Sequence, residues 1–233
     1  MIALGLVSEL SALAGSLPAP FRARAARFGS PGRQASFLAG RVLLQMMLRE
    51  EGLAGSLPHI AQGAHGKPYF DRAEGPFFNI SHSGGIIAVS LCRSSTGIDL
   101  EQVRPRRSLQ GLEDRELNEE EMAFVKEDPA LELERFTALW TLRECLVKVT
   151  GIGLAGLPGI APSPARGLAA AAGCPRGTAV CSLYPALPGA KAPMWLTAFC
   201  QERAPSGPLW ASDGGFSALA PALRSLEFSV NPQ

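Results

Sequence analysis

The stretch from residue 77 to residue 103, FFNISHSGGIIAVSLCRSSTGIDLEQV, constrains the fold of this chain more than any other segment. It contains two strand-like runs, IIAVSLC and GIDLEQV, which are separated by the turn-like sequence RSSTG. This order predicts two strands joined as an antiparallel hairpin. The segment therefore predicts a sheet in the middle of the chain.

Helical signals lie on both sides of this segment. Residues 33–50 carry apolar side chains at helical spacing, with arginines on the polar flank, so they predict a helix. Asn118 precedes three glutamates and predicts the N-cap of a helix that runs to about Lys126. Residues 131–151 predict a longer helix that ends at a glycine, and MWLTAFC at 194–200 predicts a late strand.

The last third of the chain gives weaker signals. Residues 153–177 are rich in Gly, Ala and Pro, which predicts a loop with little regular structure. Residues from 203 onward are interpreted as a loosely tied tail. No internal sequence repeat is visible.

The charges of the chain are unevenly distributed. Its 233 residues are 46% apolar, which is enough for a core of ordinary size, and the net charge is only +1. Residues 10–49 contain six arginines and no acid, whereas residues 113–134 contain ten acids. The arginine-bearing segment favours an anionic ligand or partner; the alternative is that it forms the solvated face of a helix.

Cysteine usage and hydropathy bound the environment of the protein. The five cysteines are odd in number and lack C-x-x-C spacing, so the sequence predicts neither a disulfide framework nor a zinc site, and a reducing cytoplasm fits best. Glu9 interrupts the apolar N-terminal stretch, and no later run approaches the ~20 apolar residues of a membrane span. We expect neither a membrane nor a nucleic-acid partner.

Two acids in GIDLEQV raise a specific question. Side chains on a strand alternate between faces, so Asp99 and Glu101 share one face at a spacing of roughly 6–7 Å, while Ile98 and Leu100 point the other way. Two like charges at this distance repel. Either water on an exposed face weakens the repulsion, or a cation lies between the two carboxylates.

The long predicted helix carries a second polar group. Trp140, Glu144 and Lys148 lie at i, i+4 and i+8, and therefore on one side of the helix. A glutamate followed four residues later by a lysine is an ordinary stabilising pair. Only four of the 22 basic residues are lysines, however, and a lysine with a shifted pKa can release a proton at neutral pH, whereas an arginine cannot.

The sequence SHSGG, residues 81–85, supplies hydroxyls, an imidazole and accessible backbone amides, which suit the binding of phosphate oxygens. Two alternatives remain for this segment. One is a serine nucleophile beside histidine, although the flanking glycines of G-x-S-x-G are absent. The other is an ordinary polar turn before a strand.

Four motifs together resemble those of the 4'-phosphopantetheinyl transferases of the surfactin type. They are GKPYF at 66–70, FNISHSGG at 78–85, GIDLE at 97–101 and WTLRECLVKVTGIGL at 140–154, and their order and spacing match that family. The resemblance covers roughly residues 33–160. It implies an α+β fold of two similar halves, related by a pseudo-twofold axis, with the active-site cleft between them.

The resemblance also implies an activity. Such enzymes transfer the 4'-phosphopantetheine group of coenzyme A to a serine of an apo acyl or peptidyl carrier protein, in a magnesium-dependent reaction that releases adenosine 3',5'-bisphosphate. The magnesium ligands that carry over to this sequence are Asp99, Glu101 and Glu144. A divalent cation with oxygen ligands would explain the spacing of the two strand acids.

Further roles carry over by motif. Glu144 corresponds to the base for the carrier serine and Lys148 to a residue that contacts phosphate or relays a proton. A carboxylate that binds a cation is a poor base, so a bound water or Lys148 can share this task. The expected contacts with coenzyme A are Arg41, Lys67, Pro68, Ser81, His82, Arg143 and Lys148.

The resemblance predicts three segments. Residues 1–96 form an N-terminal half that contacts the nucleotide and phosphates of coenzyme A, residues 97–202 form a C-terminal half with the metal and catalytic residues, and residues 203–233 form a tail. Two halves in one chain favour a monomer. Carriers of this class are acidic, so a docking surface is expected to include Arg22, Arg24, Arg104, Arg106 and Arg107.

Two other functions would use some of the same residues. A magnesium-dependent hydrolase of the coenzyme A pyrophosphate would use the same acids with water as the nucleophile. A non-catalytic protein that binds carrier proteins would need no metal.

Overall fold

The computed structural model of the protein describes residues 1–71, 75–105, 117–202, 204–212 and 214–232. Within these ranges the chain has an α+β fold, which confirms the predicted class. The helices are α1 Val7–Ala12, α2 Ala19–Ala25, α3 Pro31–Glu50, α4 Glu119–Lys126 and α5 Glu132–Thr150. The strands are β1 Ile2–Leu6, β2 Ile60–Gln62, β3 Pro68–Phe70, β4 Phe77–Ser83, β5 Ile86–Cys92, β6 Thr96–Gln102, β7 Ile160–Ser163, β8 Leu168–Ala171, β9 Gly177–Tyr184, β10 Met194–Cys200, β11 Leu209–Ser212, β12 Gly215–Ala218 and β13 Arg224–Pro232.

The strands form two larger sheets and one small one. The first sheet has the order β12-β11-β1-β5-β4, and the second has the order β6-β10-β9-β13-β8-β7. Strands β2 and β3 form a separate two-stranded sheet. An apolar cluster that contains Ile2, Leu4, Ile86 and Ala88 of the first sheet and Ile98, Leu100, Leu196 and Ala198 of the second joins the two large sheets.

Side chains alternate between the two faces of each strand, so those that point away from the shared apolar cluster form two further apolar clusters. Ile87 and Val89 of β5 point away from the shared cluster and pack with Leu43 and Met47 of α3. On β10, Trp195 and Phe199 point towards α5. Each large sheet therefore has one long helix on its outer side and the other sheet on its inner side.

Helix α5 approaches β6 closely at Gly97. A Cβ atom at this position would lie 2.6 Å from the carbonyl oxygen of Cys145 and 2.6 Å from Cγ2 of Val149, so only glycine allows this contact. Thr141 on the helix and Thr197 on β10 add a hydrogen bond of 2.7 Å between their hydroxyls. The end of α5 is thereby held against the face of β6 that carries Asp99.

Local signals in the sequence located the helix ends. Asn118 caps α4 in a capping box: its side chain accepts from the N–H of Glu121 at 2.9 Å, and the Glu121 carboxylate accepts from the N–H of Asn118 at 2.9 Å. Gly151 ends α5 with a φ of 73°, in the left-handed region that favours glycine. The predictions for these two helices, for the helix over 33–50 and for the strand over 194–200 are confirmed.

The predicted hairpin between IIAVSLC and GIDLEQV is wrong, although both runs are strands. β5 pairs with β1 and β4 in the first sheet, whereas β6 pairs with β10 in the second. The hairpin partner of β5 is β4, because Gly84 and Gly85, with φ of 59° and 84°, form the two-residue turn that joins them. The chain passes from one sheet to the other between β5 and β6.

The predictions for the last third of the chain are also wrong. Residues 160–163 and 168–171, expected in a loop, are the paired strands β7 and β8. The segment expected as a tail contains β11, which pairs with β1, and β13, which lies between β9 and β8. Phe228 and Val230 of β13 are buried in the core beside α5. Residues after 202 therefore contribute strands to both large sheets.

Among the helices that the structure describes, none has the length and apolar character needed to cross a lipid bilayer.

Candidate active site

A pocket of about 290 Å³ lies where the first and second halves of the chain meet. Six lining residues come from the segment before β5 and six from α5 and the turn after it: His65, Gly66, Lys67, Pro68, Asn79 and Ile80, and Glu144, Val147, Lys148, Gly151, Gly153 and Leu154. Residues from the GKPYF, FNISHSGG and WTLRECLVKVTGIGL motifs therefore line one pocket. Its volume is at the lower end for small-molecule sites, so a long ligand would extend beyond it.

Asp99 lies beside this pocket in contact with Lys148. The Lys148 ammonium donates to Asp99 Oδ1 at 2.5 Å and to the Ser81 hydroxyl oxygen at 3.0 Å, and the Ser81 hydroxyl donates to the same Asp99 oxygen at 2.8 Å. Asp99 is only 4% exposed, which excludes the interpretation that water on an open face weakens its repulsion from Glu101. The Lys148 charge offsets that of Asp99 instead.

Glu101 has a matching contact two residues further along β6. The Ser83 hydroxyl donates to Glu101 Oε2 at 3.1 Å. Ser81 and Ser83 are both on the face of β4 that lies towards β6, just as Asp99 and Glu101 share a face of β6. The two acids are therefore each held by one serine of the SHS sequence.

The Ser81 hydroxyl has no remaining hydrogen-bonding capacity. It donates to Asp99 and accepts from the Lys148 ammonium and, at 3.2 Å, from the N–H of Leu100. A hydroxyl has one donor and two acceptor positions, all of which are used. Direct binding of a coenzyme A phosphate by Ser81 stays a prediction, and it requires the hydroxyl to exchange a partner.

Lys67 reaches across from the first half to the end of α5. Its ammonium donates to the carbonyl oxygen of Val149 at 2.6 Å, at the helix C-terminus, where a positive charge is favourable. Desolvation by burial lowers the pKa of Lys67 from its ordinary value, and Cys174 and Cys145 partly oppose this shift. An ammonium has three donors, so Lys67 retains donors for a phosphate in the pocket that it lines with Pro68.

His82 points to the opposite side of β4 from Ser81 and Ser83, because neighbouring side chains on a strand alternate. It is exposed and does not line the pocket. Desolvation lowers the pKa of His82, the Lys148 charge lowers it further, and Asp99 raises it. The imidazole is therefore close enough to the Lys148–Asp99 pair to be influenced by its field.

Arg41 lies on α3, outside the pocket. Its guanidinium stacks over the Phe37 ring, 4.0 Å from the ring centroid, and the guanidinium of Arg24 lies 5.5 Å from the same centroid. Desolvation and the nearby charge of Arg24 lower the pKa of Arg41 to about 10. Its Nε atom is buried without a hydrogen-bond partner among the described residues. Two like charges and an unpaired donor favour an anion at this position.

Arg143 is placed differently from the prediction. It is 4% exposed, and its Nε and Nη2 donate to the two carboxylate oxygens of Glu121 at 3.1 and 2.6 Å. Its Nη1 donates to the carbonyl oxygens of Leu157 and Ile160 at 3.2 and 2.6 Å. The guanidinium thus faces the core, away from the pocket, and this geometry gives no support to the predicted contact between Arg143 and coenzyme A.

The predicted docking surface is only partly described. Arg22 donates to the backbone carbonyls of Leu17 and Gly15, and Arg104 is exposed. Arg106 and Arg107 lie outside the described residues.

The oxygen atoms of the three predicted ligands meet part of what a magnesium ion requires. Asp99 Oδ2 is buried and has no hydrogen-bond partner among the described residues, so its capacity to accept or to bind a cation is unused. Across those same residues no group of three or more His, Cys, Asp or Glu side chains is assembled for a metal ion, so Asp99, Glu101 and Glu144 do not form a preformed three-ligand site. Magnesium in enzymes usually takes one or two carboxylates together with waters and substrate phosphates. The residues therefore fit a magnesium ion that is bound together with a phosphate-bearing substrate.

Sequence reasoning missed several residues that build this site. Asn79 and Ser83 contact β6 beside the acids, Gly97 admits α5, and the Val149 carbonyl binds Lys67. One signal was present: the polar residues at 79, 81 and 83 alternate, as expected for one face of a strand. The strand prediction, however, covers only IIAVSLC and GIDLEQV.

Comparison with known proteins gives consistent matches. The sequence model of the 4'-phosphopantetheinyl transferase superfamily matches residues 95–170. The 4'-phosphopantetheinyl transferase AcpT of Salmonella typhi is 39% identical over 152 residues, which are 64% of this chain and 73% of that protein. The Escherichia coli protein of the same name is 38% identical over 152 residues, 64% of this chain and 72% of that protein. The 4'-phosphopantetheinyl transferase HetI of Nostoc sp. is 35% identical over 159 residues, 64% of this chain and 66% of that protein.

The match to the superfamily spans the strand and the helix that carry four of the predicted site residues. Residues 95–170 include β6 with Asp99 and Glu101, and α5 with Glu144 and Lys148. The similarity to AcpT extends over most of the length of that protein. This chain therefore belongs to the 4'-phosphopantetheinyl transferase superfamily and is an enzyme of this class.

Proposed function

We propose that this enzyme transfers the 4'-phosphopantetheine group of coenzyme A to a serine of an apo acyl or peptidyl carrier protein. The observation that carries the proposal is the contact of Lys148 with Asp99 beside a pocket that Lys67 and Glu144 also line. Two lysines at one pocket suit the phosphates of coenzyme A, and a carboxylate oxygen without a hydrogen-bond partner suits a magnesium ion.

Asp99 and Glu101 are the proposed principal magnesium ligands, with Glu144 completing the set. When bound, magnesium would offset the charge that develops on the phosphates during transfer. Asp99 would contribute Oδ2, because Oδ1 already accepts from Lys148 and Ser81. Glu101 would be oriented by the hydrogen bond from Ser83.

The phosphates of coenzyme A are proposed to be held by positive side chains at two places. Lys67 and Lys148 line the pocket and would contact the pyrophosphate, with Pro68 shaping the same wall. Arg41, stacked on Phe37, would bind the 3'-phosphate, since an anion there relieves its repulsion from Arg24. His82 is proposed to contact the nucleotide end of coenzyme A, as the family resemblance implies.

The chemical step is a displacement at phosphorus. The carrier serine oxygen forms a bond to the phosphorus that bears the pantetheine arm, the bond to the bridging pyrophosphate oxygen breaks, and adenosine 3',5'-bisphosphate leaves with that electron pair. Lys148 donates hydrogen bonds to Asp99 and Ser81, which suits a phosphate contact better than the uptake of a proton. We propose that the hydroxyl proton passes to a water held by Glu144.

The test is a transfer assay with intact-mass measurement. The purified protein is incubated with coenzyme A, magnesium and a panel of apo carrier proteins, and a carrier mass increased by one phosphopantetheine group is expected. Chelation of magnesium and the Asp99→Ala and Glu144→Ala variants should abolish this increase while the variants stay folded. Full activity in either variant would contradict the metal assignment.

The same assay separates the two alternatives. A hydrolase would split coenzyme A with magnesium in the absence of any carrier and leave the carrier mass unchanged. A non-catalytic carrier-binding protein would bind the carrier without consuming coenzyme A.

Several finer expectations remain predictions. They are the surfactin-type branch, the pseudo-twofold relation between residues 1–96 and 97–202, the monomeric state and the cytoplasmic location. The long helix on the outer side of each large sheet is compatible with two related halves.

A further inference from the structure

Three side chains of β4 form a regular set of contacts with the backbone of β6. The side-chain oxygens of Asn79, Ser81 and Ser83 accept from the amide N–H groups of residues 98, 100 and 102 at 3.2, 3.2 and 3.3 Å. Each acceptor lies 19 positions before its donor, so the two strands are held in one register. We call Asn79, Ser81 and Ser83 the polar ladder.

The polar ladder provides hydrogen-bond acceptors for the edge strand of the second sheet. β6 is an edge strand of that sheet, and its outward N–H groups would lack partners beside the buried cluster that joins the two sheets. Backbone pairing with β4 is replaced here by side-chain acceptors. A shift of one residue along β4 would bring Ile80 and His82 to these positions and leave the N–H groups unsatisfied.

The hydroxyl groups of the two serines in the polar ladder also donate hydrogen bonds, and each donates to a carboxylate of β6. Ser81 donates to Asp99 Oδ1 at 2.8 Å and Ser83 donates to Glu101 Oε2 at 3.1 Å. A serine that accepts from a fixed backbone N–H has its hydroxyl direction largely determined. The polar ladder therefore orients both carboxylates, because the backbone of β6 fixes the serine hydroxyls that donate to them.

We propose that Ser83 is a positioning residue for the metal site, which holds the Glu101 carboxylate in the orientation that binds the divalent cation. This inference rests on the proposed function, because that proposal makes Glu101 a ligand. Without the Ser83 hydroxyl, the Glu101 carboxylate would lose a hydrogen bond that fixes its orientation, and the N–H of Gln102 would lose its acceptor. Partners that orient a ligand in this way typically change metal affinity about 10–100-fold when they are removed.

The test measures metal binding directly, with Mn²⁺ as the probe. Electron paramagnetic resonance of unbound Mn²⁺ gives the Kd of the protein with coenzyme A present and carrier absent, after correction for the Mn²⁺ that coenzyme A binds on its own. We expect Ser83→Ala to weaken Mn²⁺ binding about 10-fold. Ser83→Thr keeps the hydroxyl and should restore the affinity to near that of the wild type.

A matched control lies on the neighbouring strand. Ser90 of β5 is a buried serine whose hydroxyl has no hydrogen-bond partner among the described residues, so Ser90→Ala removes a hydroxyl without removing a contact to an acid. Its Kd for Mn²⁺ should equal that of the wild type. Thermal unfolding without metal, measured for all variants, gives the effect of each substitution on stability alone.

The outcomes separate the two proposals. Weaker Mn²⁺ binding in Ser83→Ala, with recovery in Ser83→Thr, supports the positioning role even if the wild type modifies no carrier, in which case only the proposed transfer fails. An unchanged Kd in Ser83→Ala overturns the role, whether or not the melting temperature falls. A wild type that binds no Mn²⁺ beyond the amount held by coenzyme A alone overturns both the metal assignment and this inference.

Discussion

Arg143 and Glu121 form a buried ion pair with two hydrogen bonds, which joins α5 to α4. The Nη2–Oε2 distance is 2.6 Å, and the two side chains are 5% and 0% exposed. Because Arg143 also donates to the carbonyls of Leu157 and Ile160, it joins α4, α5 and the start of β7. Its role in this structure is therefore to connect elements of the second half.

We predict that Arg143→Ala destabilises the protein by about 3–5 kcal/mol, because it leaves the Glu121 charge buried without its partner. The KM for coenzyme A of the folded fraction should stay close to that of the wild type. Urea unfolding gives the free energy, and steady-state kinetics at low temperature give the KM.

Lys126→Ala is the control for Arg143→Ala, since Lys126 pairs with Glu132 at the surface. Its cost should stay below about 1 kcal/mol. A variant of Arg143 that keeps its stability but shows a strongly raised KM for coenzyme A would contradict the placement and restore the predicted phosphate contact.

The difference between the predicted and observed surroundings of Arg143 has a simple geometric origin. Successive residues of a helix point about 100° apart, so the neighbour of a pocket residue in sequence can face the core. Glu144 and Lys148, four residues apart, do line the same pocket, as the spacing predicted. The helical period shows that Glu144 and Lys148 share a face of α5. What each face contacts depends on the neighbouring elements, which the period does not reveal.

The fold was predictable where local signals decide it. Asn118 and Gly151 mark helix ends, and their cap interactions are local. β5 could form a hairpin with the segment before it or with the segment after it. It pairs with β4, the segment before it, because Gly84 and Gly85 adopt the left-handed conformation that a two-residue turn requires. β8 consists of Leu168 and three alanines, which have little intrinsic strand preference, so its pairing with β7 and β13 comes from tertiary packing.

The ionic contact of Lys148 predicts its contribution to turnover. Lys148→Ala removes the positive charge next to Asp99 and a proposed donor to the transferred phosphate, so kcat should fall about 100-fold or more. Stopped assays of carrier modification measure the change. Lys191→Ala removes an exposed lysine far along the sequence and should leave kcat unchanged. An unaltered kcat in Lys148→Ala would reduce this residue to a structural partner of Asp99.

The lowered pKa of Lys67 predicts how coenzyme A binding depends on pH. The charged form binds phosphate, so the KM for coenzyme A should rise with pH, and the rise should begin below the ordinary lysine pKa of 10.5 because burial has lowered the folded value. The Lys67→Arg variant keeps its positive charge to a higher pH than lysine does, so its KM should change less between about pH 7 and pH 10. Steady-state kinetics of both proteins across this range measure the difference.

The lowered pKa of Lys67 also makes the free energy of unfolding depend on pH. Stability increases with pH over the range in which the binding of coenzyme A is expected to weaken. Between the lowered folded pKa of Lys67 and 10.5, the unfolded chain holds the proton that the folded protein has lost. Unfolding in this window takes up a proton, so the contribution of Lys67 to stability increases as pH rises.

Identical KM profiles for the wild type and Lys67→Arg would rule out a role of the Lys67 ammonium in phosphate binding.

The position of β13 predicts a strong effect of a substitution near the C-terminus. Phe228 is 1% exposed in the core beside α5, so Phe228→Ala should cost about 3–5 kcal/mol of unfolding free energy. Leu223 precedes the same strand and is 62% exposed, so Leu223→Ala should cost less than about 0.5 kcal/mol. Equal and small effects in urea unfolding would mean that this segment is a tail, as its sequence suggested.

The close contact at Gly97 predicts a link between packing and catalysis. A Cβ in Gly97→Ala would lie 2.6 Å from the Cys145 carbonyl oxygen, so α5 must move away from β6, at a cost of about 1–3 kcal/mol. Since α5 carries Lys148, the same movement should lengthen its contact with Asp99 and lower kcat for carrier modification. Gly29→Ala, where a Cβ meets no atom within 4 Å, is the control and should change neither the melting temperature nor kcat. If both variants behave like the wild type, the helix is not held at the distance on which the proposed site depends.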